Sequence, residues 1–363
     1  MISAANRPYI DASVPVLREH GLAITRAFYR NMFAAHPELT DLFNMGNQAS
    51  GAQQQSLAAA VFAHAANIDN AAALGPVVSR IVHKHASVGI TAAHYPIVGR
   101  HLLGAIQEVL GEAATPALIA AWDEAYNSLA SVLIDAERKL YGQAGTAPGG
   151  LRRLRVADVR AESAGVAAFV LEAADGLPLP DFKPGQYVSV SVRFEDGGTQ
   201  LRQYSLSDAP NGRTLRISVK RETEWAGKPA GRVSNWLHDN VKAGDVIDTT
   251  HPFGDFTPAT EAAEPIVLLS AGVGITPMIS VLNRIAQANP GRHVVFGHAA
   301  RGKDWFPHRA DVAAALKRMP NLRVATFYDE PRDCDGVTAQ SGRMDVPRLP
   351  AWDKSAADVY LCG

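Results

Sequence analysis

The sequence has little cysteine, no long apolar run and almost no net charge. Cys334 and Cys362 are the two cysteines among 363 residues, which excludes a disulfide framework and a cysteine-rich metal site. No run approaches the ~18 apolar residues of a membrane span, and the polar N-terminus lacks the layout of a signal peptide. A net charge of −1 gives no indication of nucleic-acid binding. We therefore expect a cytoplasmic globular protein with no membrane span and no nucleic-acid partner.

What the sequence does contain is a hydrophobic period that changes twice along the chain. The first part is Ala-rich and its apolar residues recur at helical spacing, which predicts helices that include 92–110 and 117–140. Gly142 follows a basic last turn, as is typical of a helix C-terminus. The next segment, 142–150, reads GQAGTAPGG and has the composition of a linker.

Beyond residue 151 the pattern is typical of strands. Short alternating runs separated by Gly- and Asn-containing turns predict an antiparallel barrel or sandwich, with strands over 167–172, 187–194, 201–206 and 215–220. After Pro265 strands alternate with helices, which predicts a parallel sheet. These strands are expected at 266–270, 293–296, 322–328 and 358–361, and the helices at 277–288 and 310–318.

His85 is the candidate metal ligand of the helical part. It falls on an apolar stripe with Val78 and Ile81, whereas His83 lies about 200° away around the same helix. Taken alone, a histidine on an apolar face is more often a core residue that already has hydrogen-bond partners.

Polar and aromatic residues on other apolar helical stripes favour a ligand role for this histidine. Tyr29, Gln53 and Leu57 lie on such stripes, and Phe43 follows a short Pro-containing turn. An imidazole facing an apolar chamber with one phenol and one amide suits an iron porphyrin that keeps one side open for a diatomic gas. The residues alone leave open a plain helical bundle in which Tyr29 and Gln53 are ordinary half-buried polar groups.

Three short motifs of the β part suit a flavin nucleotide. Gly185-Gln186-Tyr187 enters a predicted strand, and Arg202-Gln203-Tyr204-Ser205 lies on another, with Arg202 and Tyr204 on one face. Arginine offers a fork to phosphate and tyrosine a flat ring to an isoalloxazine. Gly231-Arg232-Val233-Ser234 opens a helix whose free N–H groups suit a pyrophosphate. The segment 222–230 before it is interpreted as a solvent loop.

A glycine turn follows the first strand of the α/β part. It reads Ala271-Gly272-Val273-Gly274-Ile275-Thr276-Pro277, and its glycines let the backbone approach a phosphate closely. Thr276 is the predicted N-cap and Pro277 the first helical residue. A G-x-G pair alone is weak evidence, so a turn that binds nothing remains the alternative.

Together these motifs resemble a known family. The helical part is similar to the globin of bacterial flavohaemoglobins at Phe43-Asn44-Met45, Gln53-Gln54-Gln55, Lys84-His85-Ala86-Ser87 and over 94–103. The β and α/β motifs, in this order, resemble a ferredoxin-reductase-like pair of FAD and NAD(P)H lobes. The resemblance implies an all-α globin domain over 1–141, a linker over 142–150, an antiparallel FAD-binding β-barrel over 151–262 and a parallel-sheet NAD(P)H-binding α/β domain over 263–363.

The resemblance also implies roles for residues around a haem b. His85 would be the proximal iron ligand, and Tyr29 would hydrogen-bond the bound oxygen. Tyr95 and Glu137 would be hydrogen-bonded toward His85 and make it a stronger electron donor. The remaining haem residues would be Phe43, Gln53 and Leu57 in the distal pocket and Lys84, which would influence the haem potential.

For the other two cofactors the resemblance implies two further sets of residues. FAD would be bound by Tyr187, Arg202, Gln203, Tyr204, Ser205, Gly231, Val233 and Ser234. NADH or NADPH would be bound by Ala271, Gly272, Val273, Gly274, Ile275 and Thr276.

The function implied is that of a nitric oxide dioxygenase, which converts NO and O2 to nitrate and protects against nitrosative stress. We expect a monomer with small-molecule partners. In the family a further helix and strand follow the step that corresponds to Cys362-Gly363, so we expect a weakened third domain and weaker flavin retention. The alternatives are a flavin or ferric reductase with a soluble acceptor, a haem gas sensor that does not turn over, and a haem-only oxygen binder.

Overall fold

The computed structural model describes residues 2–68, 70–225, 227, 229–330 and 339–363. Cys334 lies outside these residues. The chain forms two compact units, the first comprising 1–150 with 191–202 and the second 151–190 with 203–363. In the part of the chain that is described, no helix is both long and apolar enough to cross a membrane.

The N-terminal part of the chain is entirely helical. Its helices are α1 (Arg7–Ala35), α2 (Met45–Ala49), α3 (Ala52–Ala66), α4 (Ala71–Val88), α5 (His94–Leu110) and α6 (Pro116–Ala144). The apolar stripes of α1, α5 and α6 meet in a core that includes Ile24, Met32, Ile106 and Trp122. Helix α6 begins as its sequence predicts, because the Thr115 side chain accepts from the N–H of Leu118 and Pro116 occupies the first turn.

The end of α6 differs from the prediction. The helix continues through Gly142 to Ala144, so the first residues of the predicted linker over 142–150 are helical. The residue that ends the helix is Gly145, whose φ of 64° is left-handed and whose N–H bonds back to the carbonyls of Tyr141 and Gly142. The buried ring of Tyr141 holds this last turn against the helical core.

The antiparallel part is a six-stranded sheet in the order β4-β3-β6-β1-β2-β5. Its strands are β1 (Arg152–Ser163), β2 (Val166–Ala173), β3 (Tyr187–Arg193), β4 (Thr199–Ser205), β5 (Thr214–Lys220) and β6 (Val246–Thr249). An antiparallel bridge between Leu206, just after β4, and Ile217 of β5 joins the two ends of this order. The sheet is thereby closed as a barrel. Helix α7 (Arg232–Asn240) follows β5.

The last part of the chain is a five-stranded parallel sheet in the order β10-β9-β8-β7-β11. Its strands are β7 (Ile266–Ala271), β8 (Val294–Ala300), β9 (Leu322–Tyr328), β10 (Ala339–Ser341) and β11 (Asp358–Cys362), with helices α8 (Ile275–Ala288) and α9 (Arg309–Arg318). The predicted fold class is confirmed in all three parts. Strand order turns at β7, since β8 and β11 flank it, and ligands of such sheets bind where strand order turns.

Candidate functional site

Three helices bring His85, Tyr95 and Glu137 together. His85 Nδ1 lies 2.7 Å from Glu137 Oε1 and 3.2 Å from the Tyr95 hydroxyl, and that hydroxyl donates to the same carboxylate oxygen. Glu137 is 3% exposed. Its carboxylate is therefore shielded from water and held by two side-chain groups from α4 and α5.

This arrangement determines which imidazole nitrogen carries the proton. Burial raises the pKa of Tyr95, and the hydrogen bond to Glu137 and its charge raise it further, so the phenol stays a donor. Because a carboxylate oxygen accepts, Nδ1 is the ring nitrogen that donates to Glu137, and Nε2 is the nitrogen left for a ligand role. Nε2 has no hydrogen-bond partner within the described part of the chain. An imidazole oriented in this way would suit the iron of a porphyrin as a ligand.

Tyr126 completes this arrangement, and the sequence reasoning missed it. Its hydroxyl donates to the Tyr95 carbonyl at 2.6 Å. Its ring lies on Gly99, where an added Cβ would come within 2.6 Å of ring carbon Cε1. The sequence did carry a signal for this contact. Gly99 follows Tyr95 by one helical turn, and a glycine inside a helix can mark the close approach of another side chain.

A second group of predicted residues gathers around Tyr29. The ring centroid of this buried tyrosine lies 5.7 Å from that of Phe33 and 5.8 Å from that of Phe43. Burial raises the pKa of Tyr29 to about 12, with a hydrogen bond from Gln53 opposing the shift. The hydroxyl is thus protonated at neutral pH and can donate to a ligand. Leu57 packs into the same apolar cluster.

The helices beside this cluster are incompletely buried. Among its described residues α3 buries only Ala65, although Leu57 and Val61 are apolar and half-buried. Val78 and Ile81 of α4 are likewise only half-buried. An apolar interior with so many half-buried side chains fits a flat apolar group. Lys84 is exposed.

In the barrel, two of the predicted flavin motifs are adjacent. The N–H of Leu206, which follows Ser205, donates to the Gln186 carbonyl at 2.9 Å. The Tyr187 ring lies against Gly254, where an added Cβ would be 3.1 Å from the ring. Every residue of β4, including Arg202, Gln203 and Tyr204, is half-buried. A strand left partly open on both faces fits a flat ring lying on it.

The third flavin motif opens α7 as predicted. Gly231 is the N-cap, Val233 is buried, and Ser234 Oγ donates to the Gly231 carbonyl at 3.1 Å. The same hydroxyl accepts from the Glu222 N–H at 3.2 Å, so the preceding loop packs on the helix start. A Cβ on Gly231 would lie 2.8 Å from Glu222 Cβ. Glycine is therefore required here by the loop.

The glycine turn lies where the parallel sheet reverses its order. Gly272 has a φ of 52°, and a Cβ on Gly274 would be 2.3 Å from the carbonyl oxygen of Cys362 at the end of β11. The prediction that Thr276 caps the helix is wrong. Residues Gly272–Gly274 already form a helical turn that runs into α8 at Ile275, and the Thr276 hydroxyl donates to the Val273 carbonyl at 3.0 Å.

His298 lies one strand from this turn and is fully buried. Its Nδ1 pairs with Ser270 Oγ at 2.9 Å, while Nε2 has no partner within the described residues. Burial, followed by the charge of His308, lowers the pKa of His298 to about 3. The imidazole is therefore neutral in the folded chain at physiological pH.

The buried His298 predicts a loss of stability in mild acid. An unfolded imidazole binds a proton below about pH 6.5, whereas the folded one does so only near its pKa of about 3. Between these values the unfolded state binds more protons, so stability falls as pH falls. We expect wild type to lose about 2 kcal/mol more than His298→Gln between pH 7 and pH 5. Urea unfolding followed by tryptophan fluorescence measures this, and equal losses contradict it.

Comparison with known proteins places these features in a family. Residues 26–133 match the Globin family and residues 268–363 the Oxidoreductase NAD-binding domain family. The chain is 51% identical to a flavohemoprotein of Chromobacterium violaceum and 46% identical to one of Rhizobium meliloti, over 100% of this chain and 92% of each relative.

Similar solved structures indicate the same family. A flavohemoglobin of Malassezia yamatoensis with bound FAD and heme superposes with a TM-score of 0.86 at 30% identity, over 99% of this chain and 92% of that one. The FAD/NAD-binding domain of a nitric oxide dioxygenase from Vibrio cholerae superposes with a TM-score of 0.53 at 36% identity, over 58% of this chain and 86% of that one. The chain is an oxidoreductase and belongs to the flavohemoprotein family.

Proposed function

We propose that this chain is a nitric oxide dioxygenase that binds haem b, FAD and NADH or NADPH. The overall reaction converts two NO, two O2 and one NAD(P)H into two nitrate ions, NAD(P)+ and one proton. The three domains would be the haem domain over 1–141, the flavin domain over 151–262 and the nucleotide domain over 263–363. The role would be protection against nitrosative stress.

The observation that carries the proposal is the imidazole of His85 fixed by a buried carboxylate. Glu137 Oε1 lies 2.7 Å from Nδ1 and also accepts from Tyr95. A carboxylate partner makes the imidazole more electron-rich, so His85 would be a stronger electron donor to the iron of a haem held there. Such a ligand suits redox chemistry better than reversible oxygen storage.

Tyr29 is the second feature, a hydroxyl donor that lies beside Gln53 and among apolar side chains. Its hydroxyl stays protonated because its pKa is raised to about 12. Phe33 and Phe43 fix its ring, so the donor needs little reorganisation when a small polar molecule arrives. Gln53 contacts this hydroxyl, and Leu57 adds apolar surface to the same cluster.

The remaining residues bind and orient the electron carriers. A flavin, when bound, takes two electrons at once from a donor and passes them on one at a time. Tyr187, Gln203, Tyr204 and Ser205 would hold its ring, and Arg202 its phosphate. The start of α7, with Gly231, Val233 and Ser234, would take the pyrophosphate. The turn formed by Ala271, Gly272, Val273, Gly274, Ile275 and Thr276 would take the nicotinamide nucleotide.

The test is NADH-driven NO consumption by the 363-residue chain reconstituted with haem and FAD. An NO electrode measures the rate and ion chromatography measures nitrate. We expect oxygen-dependent NO loss with one nitrate formed per NO, and background rates when NADH is omitted. NADPH in place of NADH establishes the preferred nucleotide.

Other outcomes identify the alternatives. NADH oxidation with ferric iron but no nitrate would contradict the proposal and favour a reductase. A haem sensor would be favoured by two results together: no turnover with NADH, and no nitrate when NO is added to protein that has been chemically reduced and then oxygenated. Loss of FAD on purification, with oxygen binding retained, would favour a haem-only oxygen binder.

Glu137→Gln should lower NO consumption by about 10- to 100-fold, the usual cost of losing a partner of a metal ligand. The amide keeps the size of the side chain but lacks the charge that makes His85 electron-rich. Resonance Raman spectroscopy should show a weaker iron–imidazole bond in the ferrous state. Asp135→Asn makes the same charge change at an exposed position of α6, and should leave both readouts unchanged. An unaltered rate in Glu137→Gln would rule out the role.

A further inference from the structure

A buried cluster of polar and charged side chains joins the barrel to the parallel-sheet part within the second unit. At its centre is His308, which is 0% exposed. Its Nε2 lies 2.9 Å from Ser218 Oγ of β5 and its Nδ1 lies 3.2 Å from Asp311 Oδ2 of α9. Its backbone N–H donates to Glu162 Oε2 of β1 at 3.2 Å. Strands β1 and β5 of the barrel thus hydrogen-bond to the residue that precedes α9.

Asp311 extends the cluster in both directions. Its Oδ1 accepts from Arg216 Nη2 at 2.9 Å and from Asn283 Nδ2 at 2.8 Å. Burial alone would raise the pKa of Asp311, but the hydrogen bonds from His308, Arg216 and Asn283 and the arginine charge hold that pKa well below its usual range. Arg216 also donates to the Ser207 carbonyl. The carboxylate is therefore ionised and fully engaged.

The backbone at His308 is itself constrained. Its φ is 60°, the left-handed region, and it is the one non-glycine residue with positive φ among the residues that the structure describes. Such a conformation is strained for a residue with a Cβ and persists where the surroundings enforce it. Here contacts on both ring nitrogens and on the backbone N–H enforce it.

The cluster is connected by hydrogen bonds to segments next to the flavin motif and next to the glycine turn. Ser207 and Asp208 come just after Ser205, the end of the flavin motif. Ser280 and Asn283 lie on α8, the helix that starts at the glycine turn. Ser280 Oγ donates to the Asp208 carbonyl at 2.7 Å, and Asn283 Nδ2 lies 2.8 Å from Asp208 Oδ1.

A metal ion is the competing occupant of this cluster. Glu162, His308 and Asp311 offer ligand atoms within 4.8 Å of one another. Both nitrogens of His308 already have partners, however, and the Arg216 cation contacts Asp311. The positive charge of Arg216 already pairs with Asp311, the carboxylate that would attract a metal ion. This favours an ion-pair network over a metal site.

We infer that the His308 cluster is a positioning device that holds the middle of α8, at Ser280 and Asn283, against the segment just after the flavin motif, and so governs the rate at which NAD(P)H reduces the flavin. This rests on the proposed function. The hydride leaves the nicotinamide, which is oxidised by two electrons, and the flavin is reduced by the same two. The rate of this hydride transfer depends steeply on the distance between the nicotinamide and the flavin, and a misplacement of ~1 Å lowers the rate by up to ~100-fold.

The test uses the full chain loaded with haem and FAD, with His308→Ala and Asp311→Asn as variants. Anaerobic stopped-flow mixing with NADH measures flavin reduction. We expect the limiting rate to fall about tenfold or more, with the Kd for NADH within about twofold of wild type and flavin content unchanged. Arg284→Gln is the control, because it removes an exposed ion pair with Glu261 from the same helix α8. An unchanged limiting rate, or a change confined to the Kd, overturns the inference.

A second readout needs no cofactor. In the apoprotein, backbone hydrogen exchange over 205–210 and 275–283 should accelerate about tenfold or more in both variants, and stay at wild-type rates in Arg284→Gln. His308→Asn tolerates the left-handed backbone and keeps a side-chain donor, so it should recover most of the lost rate if the alanine variant folds poorly. If NADH and NADPH fail to reduce wild-type flavin, the proposed function fails, and unchanged exchange would separately overturn the positioning role.

Discussion

Replacing His85 with leucine is expected to abolish NADH-driven nitrate formation while NADH-driven reduction of ferricyanide stays within about twofold of wild type. Leucine has similar bulk but no nitrogen, so Glu137 and Tyr95 would lose the group that they orient. The flavin and nucleotide residues proposed above lie on or next to other elements, β3, β4, α7, β7 and α8, and are untouched by the change. The two activities should therefore separate.

The measurement combines an NO electrode, nitrate analysis and the absorbance of ferricyanide. His83→Leu is the matched control, since it makes the same change two residues away on a different face of α4. It should leave nitrate formation intact. Nitrate formation at a wild-type rate in His85→Leu would exclude this histidine as the iron ligand. Loss of both activities would indicate that the whole chain is disturbed.

Tyr29→Phe is expected to reduce oxygen affinity and NO consumption by roughly 10- to 100-fold. Losing a hydrogen bond to a strongly polarised partner costs about 1.5–3 kcal/mol, which corresponds to that factor. Phenylalanine preserves the contacts with Phe33 and Phe43, so the loss is confined to the hydroxyl. Burial and a pKa of about 12 make this hydroxyl a donor throughout the neutral range.

Oxygen dissociation measured by stopped-flow against carbon monoxide checks this expectation. Tyr9→Phe is the control, because it removes the same hydroxyl from an exposed tyrosine on the same helix α1. An oxygen dissociation rate in Tyr29→Phe equal to that of Tyr9→Phe would show that Tyr29 does not contact the gas. The remaining polar group of the cluster, Gln53, would then be the candidate donor.

The strands show what the periodicity could and could not locate. The four predicted barrel strands are present, as β2, β3, β4 and β5. Strand β1 was not predicted, because bulges between Val156 and Asp158 and between Ala161 and Ser163 interrupt its alternation. Strand β6 was missed because it has four residues.

The site was partly predictable for a similar reason. The apolar stripe on α4 singled out His85 from the sequence alone, whereas the pairing with Glu137 came only from the resemblance, since the two residues are 52 positions apart. The His308 cluster gave no signal at all. Its members come from β1, β5, α8 and α9, and each is an ordinary polar residue in its own segment.

The contact between Gly274 and Cys362 sets an order on the assembly of the nucleotide turn. The glycines that shape the turn lie at the end of β7, but its far wall is the carbonyl end of β11. During synthesis the turn therefore stays exposed to solvent until residue 362 has been translated and β11 has paired with β7. Contacts so distant in sequence form slowly, so maturation of the turn is a late event in the life of each molecule.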